Sequence, residues 1–93
     1  MRLATEEQSA ISETIRQADK EAQIYLFGSR VDDTANGGDI DLLILSKSIN
    51  LMAKLDILAQ LHHKLGDRKI DIAVYSDTTR PFPKMIMQQG VRL

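Results

Sequence analysis

Gly38-Asp39-Ile40-Asp41-Leu42-Leu43-Ile44-Leu45 is the stretch that decides the fold. From Ile40 onward it is apolar enough and of the right length to be a buried strand. A strand alternates its side chains between two faces, so Asp39 and Asp41 point the same way, about 7 Å apart, and Ile40, Leu42 and Ile44 face the other side. Two like charges on a segment destined for burial are unfavourable unless a cation or a proton compensates them.

On the amino-terminal side, Asp32 to Gly38 is rich in Asp, Thr, Asn and Gly, and Asn36-Gly37-Gly38 supplies the positive-φ residues of a tight turn. Gln23-Ile24-Tyr25-Leu26-Phe27 is a run of β-formers that ends at Gly28, and Ser29 then serves as the N-cap of a brief helix with Arg30 and Val31 in its first turn. Further back, Thr5-Glu6-Glu7-Gln8 has the capping-box pattern, followed by Ile11, Ile15, Ala18 and Ala22 at helical spacing.

On the carboxyl-terminal side, Leu51, Leu55, Leu58, Leu61, His62 and Leu65 repeat as the apolar stripe of a helix from about Asn50 to Lys64, with Gly66 as C-cap. Lys69-Ile70-Asp71-Ile72-Ala73-Val74-Tyr75 is an alternating strand with Ile70, Ile72 and Val74 on one face. A loop with two prolines leads to a last helix, Phe82 to Gln89, stopped by Gly90. The order helix, strand, short helix, strand, helix, strand, helix predicts an α/β fold: a single domain over residues 1–93, with a three-stranded mixed sheet flanked by helices.

Ninety-three residues leave no room for a second domain. The amino terminus has no signal-peptide core and no apolar run approaches the length of a membrane span, so the chain reads as soluble and cytoplasmic, with no membrane association. It contains no cysteine, which removes disulfides and thiolate metal sites. A net charge of −1 supplies no field for nucleic acid, and the four aromatic residues, Tyr25, Phe27, Tyr75 and Phe82, are too few for a base-stacking platform. The same near-zero charge permits association, including a homodimer.

Asp71 is a third acidic residue on an otherwise apolar strand. Laid beside Asp39 and Asp41 in suitable register, it makes three carboxylates on one face, a donor set for magnesium or manganese, which take oxygen ligands and retain positions for water and phosphate. Gly28-Ser29 is the complementary half: a strand ending in glycine and a helix beginning at serine offer backbone N–H groups, a hydroxyl and a helix dipole to a phosphate. His62 and His63, as neighbours, diverge by about 100° on a helix and do not form a metal pair, and His62 is expected at the core edge. Ile86, Met85 and Met87 are expected in the core, with partner docking as the lesser alternative. Lys64, Arg68 and Lys69 read as charge complementing the end of the second long helix.

Gly28-Ser29-Arg30, Asp39-Ile40-Asp41-Leu42 and the distal Asp71 together resemble the signature of the polymerase-β-type nucleotidyltransferase superfamily. Within it the chain is most similar to the minimal nucleotidyltransferases, the MNT proteins, over nearly its whole length, down to a terminal helix in Phe82 to Leu93. The resemblance implies transfer of a nucleoside monophosphate, AMP from ATP, to a hydroxyl with two Mg2+ ions, or Mn2+ in their place. It implies that Asp39, Asp41 and Asp71 are the catalytic metal ligands and that Gly28, Ser29 and Arg30 bind the triphosphate. It also implies a helical HEPN partner, a toxin whose tyrosine hydroxyl accepts the nucleotide, with this chain as the antitoxin. Two alternatives stand beside that one: a non-catalytic nucleotide-binding module that neutralises the partner by complex formation, and a small-molecule transferase of the aminoglycoside type. Where many relatives carry a basic residue and a glycine after Gly-Ser-Arg, this chain has Asp32 and Asp33, two negative charges close to the expected triphosphate site.

Overall fold

A computed structural model of the protein describes residues 5–28, 40–66 and 68–93. Its centre is the predicted strand, β2 (Ile40–Leu45), in which Ile40, Leu42 and Ile44 are wholly buried. β1 (Gln23–Phe27) runs antiparallel to it, and β3 (Ile70–Tyr75) runs parallel to it on the other side. The expected short helix at residues 29–31, the turn at 36–38 and Asp39 lie outside the described residues.

Two helices cover the Ile40/Leu42/Ile44 face. α1 (Thr5–Ala18) contributes Ile11 and Ile15, and α2 (Leu51–Leu65) contributes Ile57 and Leu61; all four are buried against the sheet. α2 begins where Asn50 accepts a hydrogen bond from the Ala53 N–H and ends at Gly66, whose φ of 85° permits the C-cap expected there. α3 (Pro81–Gln89) crosses the opposite face, with Ile86 packed on Tyr25 and Leu43.

A fourth strand, β4 (Val91–Arg92), extends the sheet to the order β3-β2-β1-β4. The terminal segment is therefore helix only as far as Gln89. Gly90 lets the chain return to β1, since a Cβ there would lie 2.8 Å from the carbonyl oxygens of both Ile86 and Leu26. Leu93 N–H then donates to the Ile24 carbonyl at 2.9 Å.

Several expected positions differ. α1 stops at Ala18, not Ala22, because the Asp19 carboxylate accepts from the Glu21 N–H and closes a turn. Leu51, Leu55 and His62 are exposed, since the stripe that faces the sheet is centred on Ile57 and Leu61. Met85 and Met87 are exposed too, because the short α3 buries only Pro83 and Ile86. Lys64 donates to Thr14 Oγ1 at 2.7 Å and Arg68 pairs with Glu7, so both bases tie the end of α2 to α1. Among the described residues no helix is long and apolar enough to cross a membrane.

Ser46 joins the two ends of the β1–β2 pair away from Asp41. Its Oγ donates to Asp19 Oδ2 at 2.6 Å and accepts from the Ser48 and Ile49 N–H groups at 3.1 Å each. That hydrogen bond, then the one from Glu21 N–H, holds the Asp19 carboxyl below its ordinary value of 3.8. A folded pKa depressed in this way contributes stability above the unfolded value and loses it as pH falls through the folded one. Ser46→Ala should cost about 1–3 kcal/mol by leaving the buried Ile49 N–H without its acceptor. It should also flatten the fall in stability at the acid end, below pH 3.8. Urea unfolding of both proteins across that range measures it, and an unchanged acid slope would exclude the Asp19–Ser46 contribution.

Candidate active site

The second face of the sheet carries Asp41 and Asp71, two of the acidic residues singled out in the sequence. The register aligns Phe27 with Asp41 across the antiparallel pair and Asp41 with Asp71 across the parallel pair, so the three residues form one row at the same end of the sheet. Residues in register on neighbouring strands point to the same face about 5 Å apart. Asp41 and Asp71 are thus brought together as expected. Asp41 is half-buried between two strands, whereas Asp71 is exposed on the outer one, with Lys69 Nζ at 4.0 Å. That lysine is itself largely exposed and compensates Asp71 weakly.

Gly28 completes the row. It has φ +77°, and a Cβ at this position would collide with Asp41 Oδ2. The backbone leaving β1 is therefore folded directly against the Asp41 carboxylate, which only a glycine allows. Ser29, Arg30 and Asp39 follow or precede these positions but lie outside the described residues, as do Asp32 and Asp33.

Asp41 and Asp71 suit a hard divalent cation by their chemistry, two carboxylates in register with a like-charge repulsion that a cation relieves. Among the described residues no group of three potential ligands assembles; Asp39, the expected third carboxylate, lies outside them.

An aromatic wall on the same face was not foreseen. Phe82 of α3 meets Phe27 edge-on, with ring centroids 5.7 Å apart, and tilts against Tyr75 at 5.8 Å. The sequence signal was slight: Phe27 lies two residues from Tyr25 on one strand, and Phe82 falls between prolines. A polar cleft of about 530 Å³ lies at the far end of the strands, lined by residues that include Asp19, Gln23, Ser46, Lys47 and Asp77. It opens beside Leu45, the opposite end of β2 from Asp41, and takes no part in this site.

The family model described as polymerase beta, nucleotidyltransferase matches residues 9–93, a span that includes every strand and all but the start of α1. No curated protein matches the chain.

Proposed function

Since the chain belongs to the polymerase beta nucleotidyltransferase family, we propose that it transfers AMP from ATP to a tyrosine hydroxyl of a helical HEPN partner, as an antitoxin that modifies its toxin. The nucleotidyltransferase assignment rests on the family. The observation that supports placing the chemistry at this end of the sheet is the alignment of Asp41 with Asp71, with Gly28 folded against Asp41.

In this proposal Asp39, Asp41 and Asp71 hold magnesium. Bound there, magnesium supplies Lewis-acid stabilisation of charge on the α-phosphate and the leaving pyrophosphate. Gly28, Ser29 and Arg30 hold the β and γ phosphates through backbone N–H groups, a hydroxyl and a guanidinium. Asp71, exposed on the outer strand, is the carboxylate that an incoming hydroxyl meets first, and it accepts that hydroxyl's hydrogen bond. Asp41, half-buried and braced by Gly28, is fixed in place before substrate arrives.

The test is incubation of the protein with Mg2+, ATP labelled at the α-phosphate and the helical product of the neighbouring gene. Label on a tyrosine of that partner, lost when Mg2+ is chelated, is the expected result. A tight complex without label would instead identify the binding module, and label on an aminoglycoside supplied in place of the partner the small-molecule transferase.

A further inference from the structure

β3 is an edge strand, and among the described residues no strand pairs with its outer side. The Ile40 N–H donates to the Lys69 carbonyl and the Ser46 N–H to the Tyr75 carbonyl. In a parallel ladder this means that residues 69, 71, 73 and 75 turn their backbone groups to β2. Ile70, Ile72 and Val74 therefore turn theirs outward, a row of donors and acceptors ready for another strand.

A second observation lies on α2. Lys64 reaches Thr14 on α1, which fixes the flank of α2 that faces α1. At 100° per residue, Leu51, Leu55 and Leu58 fall on the opposite flank. α2 connects the adjacent parallel strands β2 and β3 and lies over them, so this flank overhangs the open edge. There Leu51 is 67% and Leu55 51% exposed, two large apolar side chains on the flank of α2 nearest the unpaired strand.

We propose that β3 pairs antiparallel with β3 of a second copy of this chain about a two-fold axis at Ala73, giving one continuous sheet in which each copy sets Tyr75 opposite the other's Asp71. The register follows from charge. An axis at Asp71 would place Asp71 against itself, and an axis at Val74 would place it against Asp77 of the other copy. An axis at Ile72 would bring the two Asp71 side chains into diagonal contact. Like charges so placed oppose pairing.

With the axis at Ala73, Lys69 of each copy comes opposite Asp77 of the other, two residues beyond the end of β3; lying beside Asp71, it offsets the diagonal approach of that Asp77 to Asp71, and the small Ala73 side chains meet on the axis. Ile72 and Val74 exchange backbone hydrogen bonds, so 73 with 73 and 71 with 75 are the closer, non-hydrogen-bonded pairs, with Cα atoms about 4.5 Å apart. The two α2 helices then lie roughly 10 Å apart across the axis, the spacing of packed helices, and cover Leu51 and Leu55. Tyr75, already on the face of Asp71, reaches the other copy's carboxylate with its phenol O–H as donor. That contribution to the site rests on the role proposed for Asp71. The pairing does not, and mass and cross-linking read it without any transfer assay.

Sedimentation equilibrium should give twice the 10.4 kDa chain mass. Leu55→Glu should return it to a single chain. Lys69→Glu should weaken the dimer roughly tenfold through its two symmetry-related pairs, and adding Asp77→Lys should restore it. Because the chain has no cysteine, Ala73→Cys should form an intermolecular disulfide on oxidation. A mixture of Asp71→Cys and Tyr75→Cys proteins should link to each other more than either links to itself. A single-chain mass at every concentration overturns the proposal, as does a two-copy mass in which Arg92→Cys links and Ala73→Cys does not, since that places the contact on β4.

Discussion

Asp41→Asn is expected to abolish nucleotidyl transfer, by about 10³-fold or more, with the fold retained. Asp41 sits in the middle of the sheet, in register with Asp71 on one side and Phe27 on the other, and its carboxylate lies against Gly28. An amide has the same shape and keeps the strand, but it lacks the anionic oxygen that a hard cation requires. Charge developing on the transferred phosphate then goes uncompensated, and several kcal/mol of transition-state stabilisation disappear with it. The fold should be retained, because the amide keeps the shape of the side chain and the substitution lowers the negative charge beside Asp71. Thermal melting should show a cooperative transition, alongside a transfer rate at background. Turnover near that of the parent in a folded Asp41→Asn protein would sink the assignment of the site. Asp39→Ala is expected to behave alike in transfer.

Much of this architecture was legible before the structure, and the reason is visible in β2. Ile40, Leu42 and Ile44 alternate with Asp41 at the strand period, so the pattern separates the apolar face from the one that bears the carboxylate. The sequence could not show that β3 lies next to β2, nor that Asp71 meets Asp41 without a shift of register; those follow from how α2 returns the chain to a parallel strand. β4 escaped because two residues, Val91 and Arg92, are too few to display a period. On α2 the helical spacing was right, but Leu51, Leu55 and His62 share a stripe that is offset from the Ile57 and Leu61 contact line. A stripe fixes an angle only relative to itself, and the neighbouring elements decide which part of it is covered. Their exposure is what directs attention to the β3 edge. The residues expected to hold phosphate, Ser29 and Arg30, together with Asp39, lie outside the described residues.

Gly28→Ala is expected to damage activity far more than stability, and the two effects have separable causes. Backbone at φ +77° costs an L-residue about 1–2 kcal/mol, which lowers the Tm of a domain this size by several degrees. The added methyl would also lie where Asp41 Oδ2 now lies, with Asp41 Cγ at 3.2 Å and Cβ at 3.4 Å. Carboxylate oxygens sit at the free end of a rotatable side chain, so Asp41 swings aside rather than the strands separating. Its displacement from the row with Asp71 then costs transfer about 10²-fold, the scale of a catalytic group misplaced by an ångström. A double-mutant cycle distinguishes the two contributions. In an Asp41→Ala background the collision is gone, and Gly28→Ala should cost only the backbone term, so its effect on stability should shrink. An equal loss of stability in both backgrounds would mean that the carboxylate does not rest on Gly28, and the bracing of Asp41 by the end of β1 would have to be given up.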